Sequence, residues 1–272
     1  MSCSGKSILR IMKLSIITIN YNNCAGLKMT ADSVLFQTSK DFEWIVIDGG
    51  STDGSRLLIE EYQESMTYWC SEHDKGIYHA MNKGIARATG DYCLFLNSGD
   101  VLYSCDVVSW VLSHLDGTDF LVGNIYLSSN LKKNMVKKEF FTPKGVVWVM
   151  NLFGFPHQST FIARKILEQY GGYREDMRIS SDWWLCYQAL MTGNATIKYL
   201  PYDIAIYDDS GISSSNKKLL KDERETLLKE KPYLHQMYSF YNDNYDIIQS
   251  IRCNSYTFLI FRIYYFIYRL FK

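Results

Sequence analysis

Three short polar segments hold the side chains best placed to meet a ligand: Asn20-Tyr21-Asn22, Asp48-Gly49-Gly50-Ser51 and Asn97-Ser98-Gly99-Asp100. Each follows directly on an apolar run, so the spacing predicts three turns at three strand ends. In an open parallel sheet, ligands bind outside the carboxyl ends of the strands, where such turns lie. One polar turn alone is ordinary; three on one edge of one sheet favour a polar ligand. No known phosphate loop is among them, since the chain contains neither GxxxxGK[ST] nor GxGxxG.

The elements that must position these segments are legible as well. Leu14 to Ile19 (LSIITI), Phe42 to Ile47 (FEWIVI) and Tyr92 to Leu96 (YCLFL) read as short strands buried on both faces. Leu27, Ala31, Val34 and Leu35 recur at helical spacing between the first two, which makes a βαβ unit. DGGSTDGS leads into the helical RLLIEEY, with Asp53 suited to capping it. Ile77, Ala80, Met81, Ile85 and Ala88 form an amphipathic helix ended by Gly90. The alternation predicts an α/β fold: an open, mostly parallel sheet with helices on both faces. Further on, Phe120 to Leu127 reads as a strand and Lys132 to Lys138 as a solvated hairpin or loop. Ser159 to Tyr170, Asp182 to Met191 and Lys217 to Glu230 read as helices.

Composition bounds the function. The 29 basic and 29 acidic side chains cancel, which removes any general electrostatic reason to bind nucleic acid. With 47% apolar and 21% charged residues the chain can bury a core and is not disordered. Seven cysteines cannot all pair within one chain, and none lies at zinc-finger spacing, so reduced thiols in a cytoplasmic protein are expected. Lys13 interrupts the apolar stretch from Ile8 to Ile19, which argues against a secretory signal; Met12-Lys13 reads as a natural start behind a leader.

The motifs, in order, resemble those of glycosyltransferase family 2, inverting enzymes with a GT-A fold. The carriers are SIITINYN, WIVIDGGSTDGS, the stretch from Asp74 to Tyr92 (DKGIYHAMNKGIARATGDY), FLNSGD, PHQSTFIARKI, GGYREDMRISSDWWL and GISS. The resemblance covers about Leu14 to Ser215, and its variants look most like the subgroup that builds bacterial exopolysaccharide and O-antigen chains. It implies a Rossmann-like GT-A domain over 12–215, and the residues beyond it read as a helical C-terminal extension over 216–272 that could associate with a membrane. It implies transfer of a sugar from a nucleotide-sugar, UDP-linked by expectation, to a saccharide or lipid-linked acceptor.

The resemblance also assigns roles. Asp48 would accept the uracil N–H, with Asn20 and Tyr21 beside it. Asp74 and Lys75 match a donor-contacting segment, although such a pair is usually solvated. The family's DxD motif, whose Asp meets Mg²⁺ or Mn²⁺, is reduced here: Asn97 replaces the first Asp and Gly99 the last, leaving Asp100 as its one carboxylate. His157 reads as a further metal ligand or acceptor contact, or as a buried structural histidine. Asp182 matches the general base, with Ser181 in place of the usual preceding acid. Trp183 and Trp184 could stack on an acceptor sugar, although a helix this aromatic also needs core anchors.

Two other classes compete. A sugar nucleotidyltransferase would want a Gly-rich basic loop near its first strand, which is missing. A non-catalytic or weakened sugar-nucleotide-binding module is suggested by the reduced motifs. Tyr256 to Lys272 (YTFLIFRIYYFIYRLFK) has apolar runs far shorter than the ~20 residues needed to span a bilayer. It reads either as an interfacial helix on the inner face of the cell membrane or as a helix packed on the protein's own core or on a second subunit of a homodimer.

Overall fold

The structure, a computed structural model, describes residues 12–129, 133–134, 141–208 and 216–244. Its centre is β1 (Leu14–Asn20), buried along its whole length because parallel partners flank it, β2 (Phe42–Asp48) on one side and β4 (Tyr92–Phe95) on the other. A short β3 (Tyr68–Ser71) extends the parallel set beyond β2. Parallel neighbours cannot be joined by a tight turn, so helices make the crossovers: α1 (Cys24–Leu35), α2 (Ser55–Tyr62) and α3 (Ile77–Arg87). Val34 and Leu35 of α1 line a shared hollow with Trp44 on one face of the sheet. On the other, α3 approaches so closely that a Cβ on Gly84 would stand 2.4 Å from Ile17.

Beyond β4 the sheet becomes mixed. The full order is β3-β2-β1-β4-β8-β6-β9-β5, with β5 (Val101–Leu102), β6 (Phe120–Leu127), β8 (Thr160–Ala163) and β9 (Ile197–Tyr207). β7 (Lys133–Asn134) pairs antiparallel with β6, within the segment expected to be a hairpin or loop. β8 runs antiparallel to both β4 and β6, whereas β6 and β9 are parallel. The sheet is thus open and Rossmann-like, and its uninterrupted parallel half contains the three polar strand ends.

One expected helix is replaced in part. Ser159 to Tyr170 divides into a 3-10 turn over His157–Ser159, β8, and a short α6 (Arg164–Gln169). Thr160, Phe161, Ile162 and Ala163 are all buried between two strands, and that pairing overrides their helical spacing. β9 escaped the periodic reading because Pro201 and Asp203 interrupt it; its ladder with β6 shifts register between Val122 and Asn124.

The remaining helices are α4 (Val107–Leu112), α5 (Pro143–Leu152), α7 (Ser181–Met191), α8 (Lys217–Lys229) and α9 (Pro232–Asp243). Leu227 and Leu228 of α8 and Leu234 of α9 are fully buried in the same core as the sheet. The first part of the expected C-terminal extension is therefore packed on the sheet domain. GISS and the Tyr256–Lys272 helix lie outside the described residues. Among the described residues no helix is long and apolar enough to cross a membrane.

Candidate active site

The parallel register sets Asn20, Asp48 and Ser71 side by side at the ends of three neighbouring strands. Asp48 is fully buried and accepts from Asn20 Nδ2 at 2.7 Å, Ser51 N at 3.0 Å, Ser71 Oγ at 2.6 Å and the Ser51 hydroxyl. Burial alone would raise its pKa, but these four donors override it and hold the carboxyl below its ordinary value. A carboxylate has about four acceptor positions, and here the chain's own donors fill them. Asp48 therefore shapes the loop, and the expected uracil N–H would have to displace one of those donors. Asn22, at φ 49°, takes Thr52 N on its side chain and gives its own N–H to Ser51 Oγ, which ties the first two strand ends together. Asp53 joins α1 to α2 by accepting from Cys24 N and from Ser55 N and Oγ, in line with its expected structural role.

Asp74 comes to the same edge. Its Oδ1 accepts Gly76 N at 2.8 Å, and its Oδ2 lies 2.4 Å from where a Cβ on Gly49 would stand, with Tyr21 on the other side of that glycine. Residue 49 must be small for Asp74 to enter this crevice. Tyr21 is 65% exposed over it, and Lys75 is exposed with its backbone N–H on His79 Nδ1.

The second half of the site is a chain of side chains from four elements. Tyr78 OH, on the first turn of α3, donates to Asp182 Oδ1 at 2.8 Å. His157 Nδ1 meets Asp182 Oδ2 at 3.0 Å, and His157 Nε2 meets Asn97 Nδ2 at 3.3 Å. Trp183 N also donates to Asp182 Oδ1. Burial pushes the Asp182 pKa up, but the hydrogen bond and charge of His157, with Tyr78, pull it below the ordinary carboxylate range. Burial lowers His157, yet the Asp182 contact raises it overall. The two form a charge-assisted pair in which Asp182 stays ionised and keeps one acceptor position open. Tyr78 lies within the DKGIYHAMNKG stretch, but nothing in its spacing singles it out from an apolar helix face.

Asp100 is 3% exposed, and burial pushes its pKa up to about 6 against the pull of His157, Asp208 N and the Gln158 side chain. Asp208 N donates to Asp100 Oδ1 at 2.9 Å. Beside it Gly99, at φ 104°, leaves space that a Cβ could not share with the Asp208 carboxylate, 2.6 Å away. Asn97 Oδ1 is buried with no hydrogen-bond partner. These hard oxygens suit Mg²⁺ or Mn²⁺, but among the described residues no three His, Cys, Asp or Glu side chains form a ligand cluster. His157 has both ring nitrogens engaged, with Asp182 and Asn97, so a metal on Nε2, the expected ligand role, would have to displace the Asn97 amide.

Trp183 and Trp184 do not present stacking faces: they are 5% and 2% exposed. Trp183 donates Nε1 to Met150 O at 2.9 Å and packs on Tyr187 and Tyr238, so both rings serve as anchors of α7 in place of the expected acceptor contact.

Residues 15–174, which include the three strand ends and Asp74, match the family model described as Glycosyl transferase family 2. The chain belongs to that family. A relative from Mycobacterium tuberculosis, named as an uncharacterized glycosyltransferase, is 33% identical over 214 residues, covering 74% of this chain and 77% of its own. A Mycobacterium bovis protein named as a PGL/p-HBAD biosynthesis glycosyltransferase is 28% identical, over 72% of this chain and 77% of its own. Among solved structures, Staphylococcus aureus TarS 1-349 in complex with UDP superposes with a TM-score of 0.60 at 18% identity, over 72% of this chain and 60% of that one. The mannosyltransferase PcManGT of Pyrobaculum calidifontis, solved with GDP-Man and Mn²⁺, gives 0.52 at 20% identity, over 70% of this chain and 55% of that one. The chain thus spans less than two thirds of these solved relatives, and the likeness establishes the GT-A fold of this family 2 protein.

Proposed function

We propose that this family 2 protein is an inverting glycosyltransferase that moves a sugar from a nucleoside-diphosphate donor, UDP-linked, to a hydroxyl of a saccharide or lipid-linked saccharide in bacterial surface polysaccharide synthesis. The observation that carries this is Asp182: an ionised carboxylate, fixed by Tyr78 and His157, with one acceptor position open and joined through His157 to Asn97 of the reduced metal motif. Such a group can take the acceptor hydroxyl proton while the acceptor oxygen bonds to the anomeric carbon and the bond from that carbon to the diphosphate oxygen breaks on the opposite side. No covalent intermediate is needed.

The donor would lie over the ends of β1 and β2, with its base beside Tyr21 and the Asp48 loop and its ribose or base edge near Asp74. Solved relatives with UDP, UDP-GlcNAc or GDP-Man favour a nucleotide in this crevice. Asp100 with the Asn97 carbonyl would hold a divalent cation, which when bound offsets charge on the departing diphosphate. Lys75, exposed at the same edge, is suited to phosphate or sugar hydroxyls. Peripheral attachment through Tyr256–Lys272 would bring a lipid-linked acceptor to the site from the inner face of the membrane.

The test is a panel of UDP- and GDP-sugars assayed for binding, for hydrolysis with Mn²⁺ or Mg²⁺, and for transfer to lipid-linked acceptors. Transfer with inversion from a UDP-sugar is expected. The reduced DxD motif favours one other reading, a binding module; nucleotide retention with no turnover under any of these conditions would establish it and overturn the enzyme.

A further inference from the structure

α8 lies beyond the residues that match the family model, yet it places two charged side chains in the interior. Glu223 and Arg224 are 9% and 7% exposed. Glu223 Oε1 accepts Arg178 N at 2.7 Å and Oε2 accepts Ile179 N at 3.0 Å, in the loop that runs into α7. Arg224 Nη2 donates to Phe153 O at 2.9 Å, and its guanidinium stacks 4.6 Å above the Trp183 ring. Between Ile179 and Trp183 lie Ser180, Ser181 and Asp182, and Asp182 Oδ1 accepts Trp183 N.

Burying a carboxylate and a guanidinium is costly unless each is well partnered, and an apolar pair would anchor α8 at least as firmly. Neighbouring leucines already do that: Leu227 and Leu228 are fully buried. What the charges add is direction. Two N–H groups held by one carboxylate fix the path of the loop, and a stacked, hydrogen-bonded guanidinium fixes the ring next to the base. Trp183 Nε1 is held in turn by Met150 O, so the start of α7 is tied to α5 as well as to α8.

We propose that Glu223 and Arg224 are positioning residues for Asp182: together they fix the first turn of α7 so that the carboxylate meets both Tyr78 and His157 and faces the acceptor hydroxyl. This rests on the transferase reading of Asp182. A misplacement of about 1 Å at a reacting group can cost on the order of a hundredfold in rate, so the clamp is a lever on turnover rather than on donor binding.

The experiment compares Glu223→Gln, Arg224→Gln and Arg224→Lys with Leu227→Val, which thins the packing of the same helix without touching the loop. Measured quantities are kcat, donor KM, UDP affinity, melting temperature and the imidazole ¹⁵N spectrum of His157. Glu223→Gln and Arg224→Gln should lower kcat by about ten- to a hundredfold with UDP affinity within about twofold of the parent, and should shift the His157 Nδ1 signal. Arg224→Lys, which keeps the charge over the ring, should recover part of kcat. Leu227→Val should lower the melting temperature with kcat kept. Folded Glu223→Gln and Arg224→Gln proteins with parental kcat would overturn the proposal, as would losses of kcat that merely track melting temperature across all four. If the parent itself transfers no sugar, the transferase reading fails, and the His157 spectrum then decides alone: an Nδ1 signal unchanged in both Gln variants overturns the clamp.

Discussion

His157 Nδ1 lies 3.0 Å from Asp182 Oδ2, and the same imidazole reaches Asn97 at 3.3 Å on its other nitrogen. One ring thus couples the proposed base, Asp182, to the reduced metal motif. Asp182 has three donors and one open acceptor position, whereas Asp48 has four donors and none. The first is arranged to receive a proton and the second to hold a loop.

Asp182→Asn keeps the shape of the side chain but removes the proton acceptor. Transfer should fall by about 10²–10⁴-fold with UDP binding retained, as read by steady-state kinetics and calorimetry. Because His157 and Tyr78 hold Asp182 ionised well into acid, Asp182 itself should not set the acid limb of the rate profile.

Asp100 should set it instead. Its pKa is pushed up to about 6 by burial, and a cation needs the ionised form, so half-saturating Mn²⁺ should fall as pH rises toward 6 and level off above it. The stability sign is the reverse of the usual carboxylate. Between the unfolded value of 3.8 and about 6 the folded protein binds more protons, so the metal-free protein loses stability as pH rises through that window. Melting curves of Asp100→Asn without metal should lack this slope. Asn97→Asp, which restores a carboxylate to the motif, should lower the Mn²⁺ requirement.

Gly49→Ala tests the crevice. The new Cβ would collide with the end of the Asp74 side chain, which can swing aside, so the fold should survive. Moving Asp74 should weaken UDP binding by about tenfold, measured by titration, with the melting temperature nearly unchanged. Full affinity in this variant would remove Asp74 from the donor site.

Asp48→Ala leaves donors from Asn20, Ser51 and Ser71 without an acceptor in the interior. It should destabilise the protein by on the order of 2–4 kcal/mol in denaturant titrations and weaken UDP binding through the collapsed loop. The parent's own Asp48 contribution, present at neutral pH, should be lost as pH falls below the ordinary carboxylate range, because its folded pKa is lowered.

The parallel half of the fold is legible in the order of the residues. β1 and β2 are rich in β-branched residues, and all three of β1, β2 and β4 are apolar on both faces because they lie between neighbours; such runs followed by NYN, DGGS and NSGD are readable without coordinates. The same order also places Asp182 at the start of a helix and reduces the DxD motif to Asp100. The rest depends on contacts between distant elements. β8 has helical spacing but becomes a strand because β4 and β6 each supply a ladder for it. Trp183 is an anchor because α5, α8 and α9 cover it, and no local pattern announces what covers a ring. Asp182 meets His157 and Tyr78 across 25 and 104 residues of chain. Periodicity records what each residue does within its own helix or strand. Contacts between elements follow from sheet order and crossing geometry, which are fixed only when the whole core closes.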